Sequence, residues 1–155
     1  MTSVSIVRSD QAVDVGLVGG KAAALGRLAA RGFDVPPFFV LTDAAFTAKG
    51  LSAEARDALQ SALAAIGPGP FAARSSAREE DGASHSHAGQ FLSILEMPAS
   101  RLASAAHKVW ISGAAESVRQ YRASRGLDPD GGKPAVLVQR MVTARAAGVC
   151  FTADP

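Results

Sequence analysis

The tetrapeptide Gly67-Pro68-Gly69-Pro70 constrains the fold of this chain more than any other feature. Proline has no amide proton to give a helix or a central strand, and glycine is the residue least willing to stay ordered in either. Neither kind of element runs through such a cluster, so it divides two segments of different period. Before it, Ser52 stands where an N-cap is needed, and Ala55, Leu59, Leu63 and Ile66 recur on one helical face. After it, Phe71-Ala72-Ala73 is an apolar run that ends in Arg74, which predicts a strand over 71–74. The cluster is a turn from helix into strand.

The rest of the chain alternates in the same way. Ser5-Ile6-Val7 predicts a short opening strand. The spacing of Ala22, Leu25, Leu28 and Ala29 predicts a helix over 21–31, stopped by Gly32. Pro36-Pro37 forces an extended entry into a buried strand, Phe38–Leu41. Thr42 is an N-cap for a short helix reaching Lys49, with Asp43 in its first turn. A strand is expected at 91–95, then helices at 99–111 and 114–125 interrupted near Ser112-Gly113. Leu102, Ala106 and Val109 form the apolar face of the first helix, and Val118 and Tyr121 anchor the second. After a turn-rich loop at 128–133, the runs at 135–139 and 148–151 read as a hairpin joined by 143–147. Helices and strands are mixed throughout, which points to an α+β or α/β domain without internal repeats.

Composition excludes several classes of function. Hydrophobic residues make up 48% and charged ones 19%, a balance that folds rather than staying disordered. The net charge is only +2, and Lys and Arg are scattered, so no nucleic-acid partner is expected. No apolar run approaches the ~20 residues of a membrane span, so no membrane partner is expected. Cys150 is the single cysteine and reads as a core thiol. With no disulfide possible within the chain and no secretory pattern, a cytoplasmic setting is expected. At 155 residues the chain can form one domain with a core, but it is short for a complete two-substrate enzyme. Its stop at Thr152-Ala153-Asp154-Pro155, directly after an apolar stretch, suggests a cut inside a larger protein.

The residues that could carry chemistry are few. Arg74 leaves an apolar run and enters the polar turn Ser75–Gly82, and Ala88-Gly89-Gln90 follows it as a glycine turn. A cation at a strand end facing a glycine that admits backbone N–H groups suits a polyphosphate. An ion pair of Arg74 with Glu79, Glu80 or Asp81 is the plainer reading. Gly19-Gly20-Lys21 opens a helix and could bring amides and an ammonium to an anion, but it lacks Walker A or dinucleotide-fingerprint spacing. Glu79, Glu80 and Asp81 could hold Mg²⁺ through water or simply form a solvated loop. His85 and His87 have no third His or suitable Cys, so no metal site is expected of them, and His107 reads as structural. Gln139 closes a buried run, where its amide must find either an adenine edge or backbone.

Together these segments resemble the N-terminal nucleotide-binding domain of the phosphoenolpyruvate synthase and pyruvate phosphate dikinase family, which rifamycin phosphotransferases and glucan water dikinases share. The resemblance runs through Gly19–Leu25, Val35–Thr42, Arg74–Gly82 with Ser86–Gln90, Val109-Trp110 with Tyr121-Arg122, Val136–Val142 and Gly148–Pro155. Six stretches in family order cover essentially the whole chain. The resemblance implies an α+β, ATP-grasp-like domain of which 1–155 is the N-terminal part. It implies that ATP is the cofactor, with Lys21, Arg74, Gly89 and Ser93 along its phosphates and Gln139 near the adenine. It places Mg²⁺ and its ligands outside this chain, and no catalytic or metal-ligating residue within it. The implied partners are the rest of the ATP-binding domain, a phospho-histidine domain, and pyruvate or another acceptor. The implied chemistry is phosphoryl transfer from ATP to that histidine, which this chain alone is expected not to complete. The texture of 78–86 and 89–91 favours the phosphoenolpyruvate synthase branch. Phe38, where the family commonly has Gly, His87, where it has an aromatic, and Arg78, often Thr, depart from the pattern.

Overall fold

A computed structural model of the chain describes residues 4–78 and 92–148. They form an α+β domain built on a five-stranded sheet. Its strands are β1 (Ile6–Arg8), β2 (Phe38–Leu41), β5 (Phe71–Ser76), β6 (Ser93–Met97) and β7 (Ala135–Arg140), in the order β1-β2-β7-β5-β6. Every neighbouring pair is antiparallel. A small hairpin, β3 (Phe46–Thr47) with β4 (Gly50–Leu51), stands apart. The helices are α1 (Val15–Ala30), α2 (Ala53–Ile66), α3 (Ala99–Ser112) and α4 (Glu116–Ser124).

The sheet is covered on both faces, and strand alternation sorts its side chains between two cores. Phe39, Leu41, Phe71, Ala73, Val136 and Val138 face α2 and α3. Phe38, Val40, Ala135 and Leu137 face α1. Burial on both sides explains why β2 and β7 read as continuous apolar runs instead of alternating ones. Ala55, Leu59, Leu63 and Ile66 are all buried, so the stripe read from the sequence is the buried face of α2, and Ser52 Oγ accepts from Ala55 N at 3.1 Å as its cap. α1 lies close to the chain below it because it is built of small residues: a Cβ on Gly26 would stand 2.2 Å from the Ala12 carbonyl oxygen.

Several expectations are corrected. The helix starts at Val15, capped by Asp14, whose Oδ1 accepts from Gly16 N at 2.8 Å, and it is broken at Gly19 (φ 76°, ψ 167°). Thr42 caps no helix. Its Oγ1 donates to Val4 O at 2.6 Å, and the chain makes a single 3-10 turn, Asp43–Ala45, before β3 and β4. Burial of Phe46 and Leu51 against α3 outweighs the local capping signal there. β6 begins two residues later than expected and carries a bulge, with Glu96 at φ 56°, which turns both Ile94 and Met97 toward α3. β2 and β5 occupy both edges of β7, and the second arm of the hairpin expected at 148–151 lies beyond Gly148 outside the described residues. Residues 149–155, with Cys150, lie outside the described residues.

Candidate functional site

Ladder register, not sequence proximity, assembles the candidate site. Arg74 on β5 stands opposite Ser93 on β6, and Ala72 on β5 stands opposite Gln139 on β7. Opposed residues of an antiparallel ladder share a face, and residues two apart along a strand do too. Arg74, Ser93 and Gln139 therefore lie on one face, the one that packs on α1. α1 covers that face over β2 and the start of β7 and leaves its β5–β6 end open. There Ala72, Arg74, Ser93, Gln139, Arg140 and Met141 line a shallow cavity of about 360 Å³.

The cavity is electropositive. Arg74 and Arg140 line it, and no carboxylate does among the described residues. Arg74 is half-buried and forms no ion pair with a described residue. Glu79, Glu80 and Asp81, its alternative partners, lie outside the described residues, as do His85, His87 and Gly89. Gln139 is 8% exposed, and its Nε2 donates to Pro36 O at 3.1 Å. Backbone thus takes one donor of the amide and fixes the orientation of its plane. Ser93 is exposed at the mouth.

Lys21, on α1, reaches the same strand. Its Nζ donates to Ser75 O at 2.8 Å, one residue beyond Arg74, while Ser75 N donates to Leu92 O at 3.2 Å. The Gly19-Gly20-Lys21 turn is docked against the end of β5. Gly20 N donates to Ala77 O at 2.9 Å, and Ala22 N donates to Ser76 Oγ at 3.0 Å. A Cβ on Gly19 would lie 2.0 Å from Ser76 O, so only glycine permits this approach. Four of the five expected residues are thus gathered around Ala72–Ser76. Three line the cavity and Lys21 is bonded beside it.

Sequence reasoning missed two residues. Ser76, 1% exposed, carries the contact with α1. Its signal was present: two positions on from Arg74 it had to share the α1 face. Arg122, 3% exposed, was passed over for Tyr121, although it falls one helical turn after the buried Val118. Its Nη1 donates to Gly113 O at 3.5 Å, and it lines a second cavity of about 180 Å³ with Arg78, Lys133 and Asp43. Asp43 Oδ1 accepts from Trp110 Nε1 at 2.8 Å, and Lys133 Nζ sits 3.6 Å from the centre of the Trp110 ring. His107 is structural, with its Nε2 3.1 Å from Thr47 O and its ring stacked with Phe46 and Trp110. Among the described residues no three His, Cys, Asp or Glu side chains gather as a metal site, and no helix is long and apolar enough to cross a membrane.

Comparison with known proteins adds a family. The model of the pyruvate phosphate dikinase AMP/ATP-binding domain matches residues 45–155, a span that holds Arg74, Gly89, Ser93 and Gln139 but not Lys21. The chain is 33% identical to the prodigiosin synthesizing transferase PigC of Serratia marcescens, over 99% of this chain and 20% of that protein. It is 33% identical to a rifampicin phosphotransferase of Streptomyces sviceus, over 91% of this chain and 21% of that protein. It is 27% identical to the phosphoenolpyruvate synthase of Aeropyrum pernix, over 90% of this chain and 23% of that protein. The chain therefore spans about a fifth of the length of these relatives.

Proposed function

The chain belongs to the pyruvate phosphate dikinase AMP/ATP-binding domain family, and on that premise we propose that it forms the N-terminal part of an ATP-grasp-like domain that binds ATP for phosphoryl transfer. The observation that carries this reading is the meeting of Arg74, Ser93 and Gln139 on one open sheet face, in a cavity that no carboxylate lines among the described residues, with Lys21 anchored next to Arg74.

Each residue has a role that its position suits. Arg74 and Lys21 neutralise the phosphates, Arg74 by a guanidinium fork that matches phosphate oxygens. Ser93 donates its hydroxyl to the same phosphates from the neighbouring strand; Gly89, outside the described residues, is assigned to them by the resemblance alone. Gln139, held in plane by Pro36, reads the adenine edge, with Met141 and Val142 as apolar contacts for the base. A phosphoryl transfer of this kind depends on positioning and charge neutralisation more than on covalent chemistry by the protein. The resemblance assigns the Mg²⁺ ligands to sequence outside this chain, and Glu79, Glu80 and Asp81, the alternative donors, lie outside the described residues.

The acceptor is a histidine on a further domain and then a small molecule that this chain does not choose. Phosphoenolpyruvate synthase, rifampicin phosphotransferase and PigC all resemble this chain at similar identity. The pyruvate, water dikinase reading therefore stands level with that of a related phosphotransferase. Calorimetric titration with ATP, with and without Mg²⁺, tests the proposal beside the Lys21→Ala/Arg74→Ala double variant. Saturable binding that the double variant loses is the expected result. Equal binding by both chains, or none by a folded wild-type chain, overturns the half-site reading.

A further inference from the structure

We propose that Ser76 is a positioning residue, whose hydroxyl caps the broken helix α1 and so holds the Lys21 ammonium beside Arg74. The inference rests on the assignment of Lys21 and Arg74 to the nucleotide phosphates.

The break at Gly19 gives α1 a second N-terminus in the middle of its length, with amides that the first turns of the helix no longer satisfy. Tertiary structure supplies the partners. Ser76 Oγ accepts from Ala22 N, and Ala77 O accepts from Gly20 N. These two bonds flank Lys21 in sequence, so they fix the backbone from which its side chain departs. The side chain then runs back to β5 and donates to Ser75 O. A lysine side chain has four rotatable bonds and reaches one position only when its Cα is held. Arg74 and Lys21 thus sit on one rigid unit, a strand end and the helix docked on it, with their separation set before any anion arrives. This lowers the ordering cost of binding a polyphosphate.

Ser75 supplies an internal control. It is fully buried like Ser76, but its hydroxyl has no hydrogen-bond partner among the described residues, and Lys21 uses its carbonyl only. Replacement of Ser75 by alanine removes a hydroxyl and leaves the carbonyl that accepts from Lys21 in place. Replacement of Ser76 by alanine removes the cap.

The test titrates MgATP and adenosine into the chain and into its Ser76→Ala and Ser75→Ala variants, and follows exchange of the Ala22 amide. For Ser76→Ala, ATP affinity should fall about tenfold, in line with a weakened charge-assisted contact, while adenosine affinity stays within about twofold. Ala22 should exchange faster in that variant alone. Ser75→Ala should bind both ligands as the wild type does. Ser76→Cys, of similar size but a weaker acceptor, carries the same comparison if the alanine variant does not fold. Equal losses for ATP and adenosine, or equal effects at Ser75 and Ser76, overturn the inference and leave the ATP reading standing. Failure of the wild-type chain to bind ATP overturns that reading and the inference together.

Discussion

Gly19→Ala and Gly32→Ala form a pair that isolates the tertiary contact behind the candidate site. Both glycines have positive φ, 76° and 83°; alanine costs about 1–2 kcal/mol at a left-handed residue and up to about 3 kcal/mol at Gly19, whose ψ of 167° lies in a region open essentially to glycine alone. Their surroundings differ completely. A Cβ on Gly32 meets nothing within 4 Å, whereas one on Gly19 would stand 2.0 Å from Ser76 O and 2.6 Å from Ser76 Oγ. The second collision is with backbone and cannot be relieved by a rotamer, so the turn has to lift from β5. Lifting it breaks the bonds from Gly20 N, Ala22 N and Lys21 Nζ. Each is worth about 1 kcal/mol net, with the half-exposed lysine given no charge premium. Gly19→Ala should therefore cost about 4–6 kcal/mol, and Gly32→Ala about 1–2 kcal/mol. Urea denaturation monitored by Trp110 fluorescence, at constant m-value, reads both. Equal destabilisation by the two variants would refute the argument, because it would leave nothing to the contact with Ser76.

Other consequences can be checked with the same protein. Arg74→Ala should weaken ATP at least tenfold in titration and shift stability by less than about 0.5 kcal/mol, since no described residue pairs with it. Trp110→Phe and Asp43→Ala should each destabilise, with a coupling of about 1 kcal/mol in a double-mutant cycle from the lost Nε1–Oδ1 bond. Leu102→Ala, at a fully buried position, should cost about 2–5 kcal/mol. Ile111→Ala, at 46% exposure, should stay within about 1 kcal/mol, which chemical denaturation resolves easily.

Local patterns were legible wherever local physics decides. The stripe of α2, its Ser52 cap, the stop at Gly32 and the buried runs of β2 and β7 follow from spacing and composition, and the structure has them. Local reading failed where a distant partner outbid it. Thr42 offered a cap, but the carbonyl of Val4 took its hydroxyl. Tyr121, expected to anchor α4, is half-buried, and Arg122 beside it is the side chain buried under Gly113. The edges of β7 are filled by β2 and β5 from far along the chain, a pairing that nothing in 135–140 signals.

The candidate site divides in the same way. The sequence by itself determined which residue types were there to be used: an arginine at a strand end, a lysine behind two glycines, an amide closing a buried run. It determined that the chain mixes helices and strands, and that Gly19 and Ser76 could adopt the conformations they do. It could not determine that residues 74, 93 and 139 share a face, because that depends on which strands pair and in which register. Only the tertiary structure decided that β5 lies between β6 and β7, that α1 stops short of its far end, and that a helix broken at Gly19 is recapped by Ser76. The physical reason is that propensity and capping act over a few residues. Register and docking are settled by burying both faces of a sheet whose strands come from opposite ends of the chain.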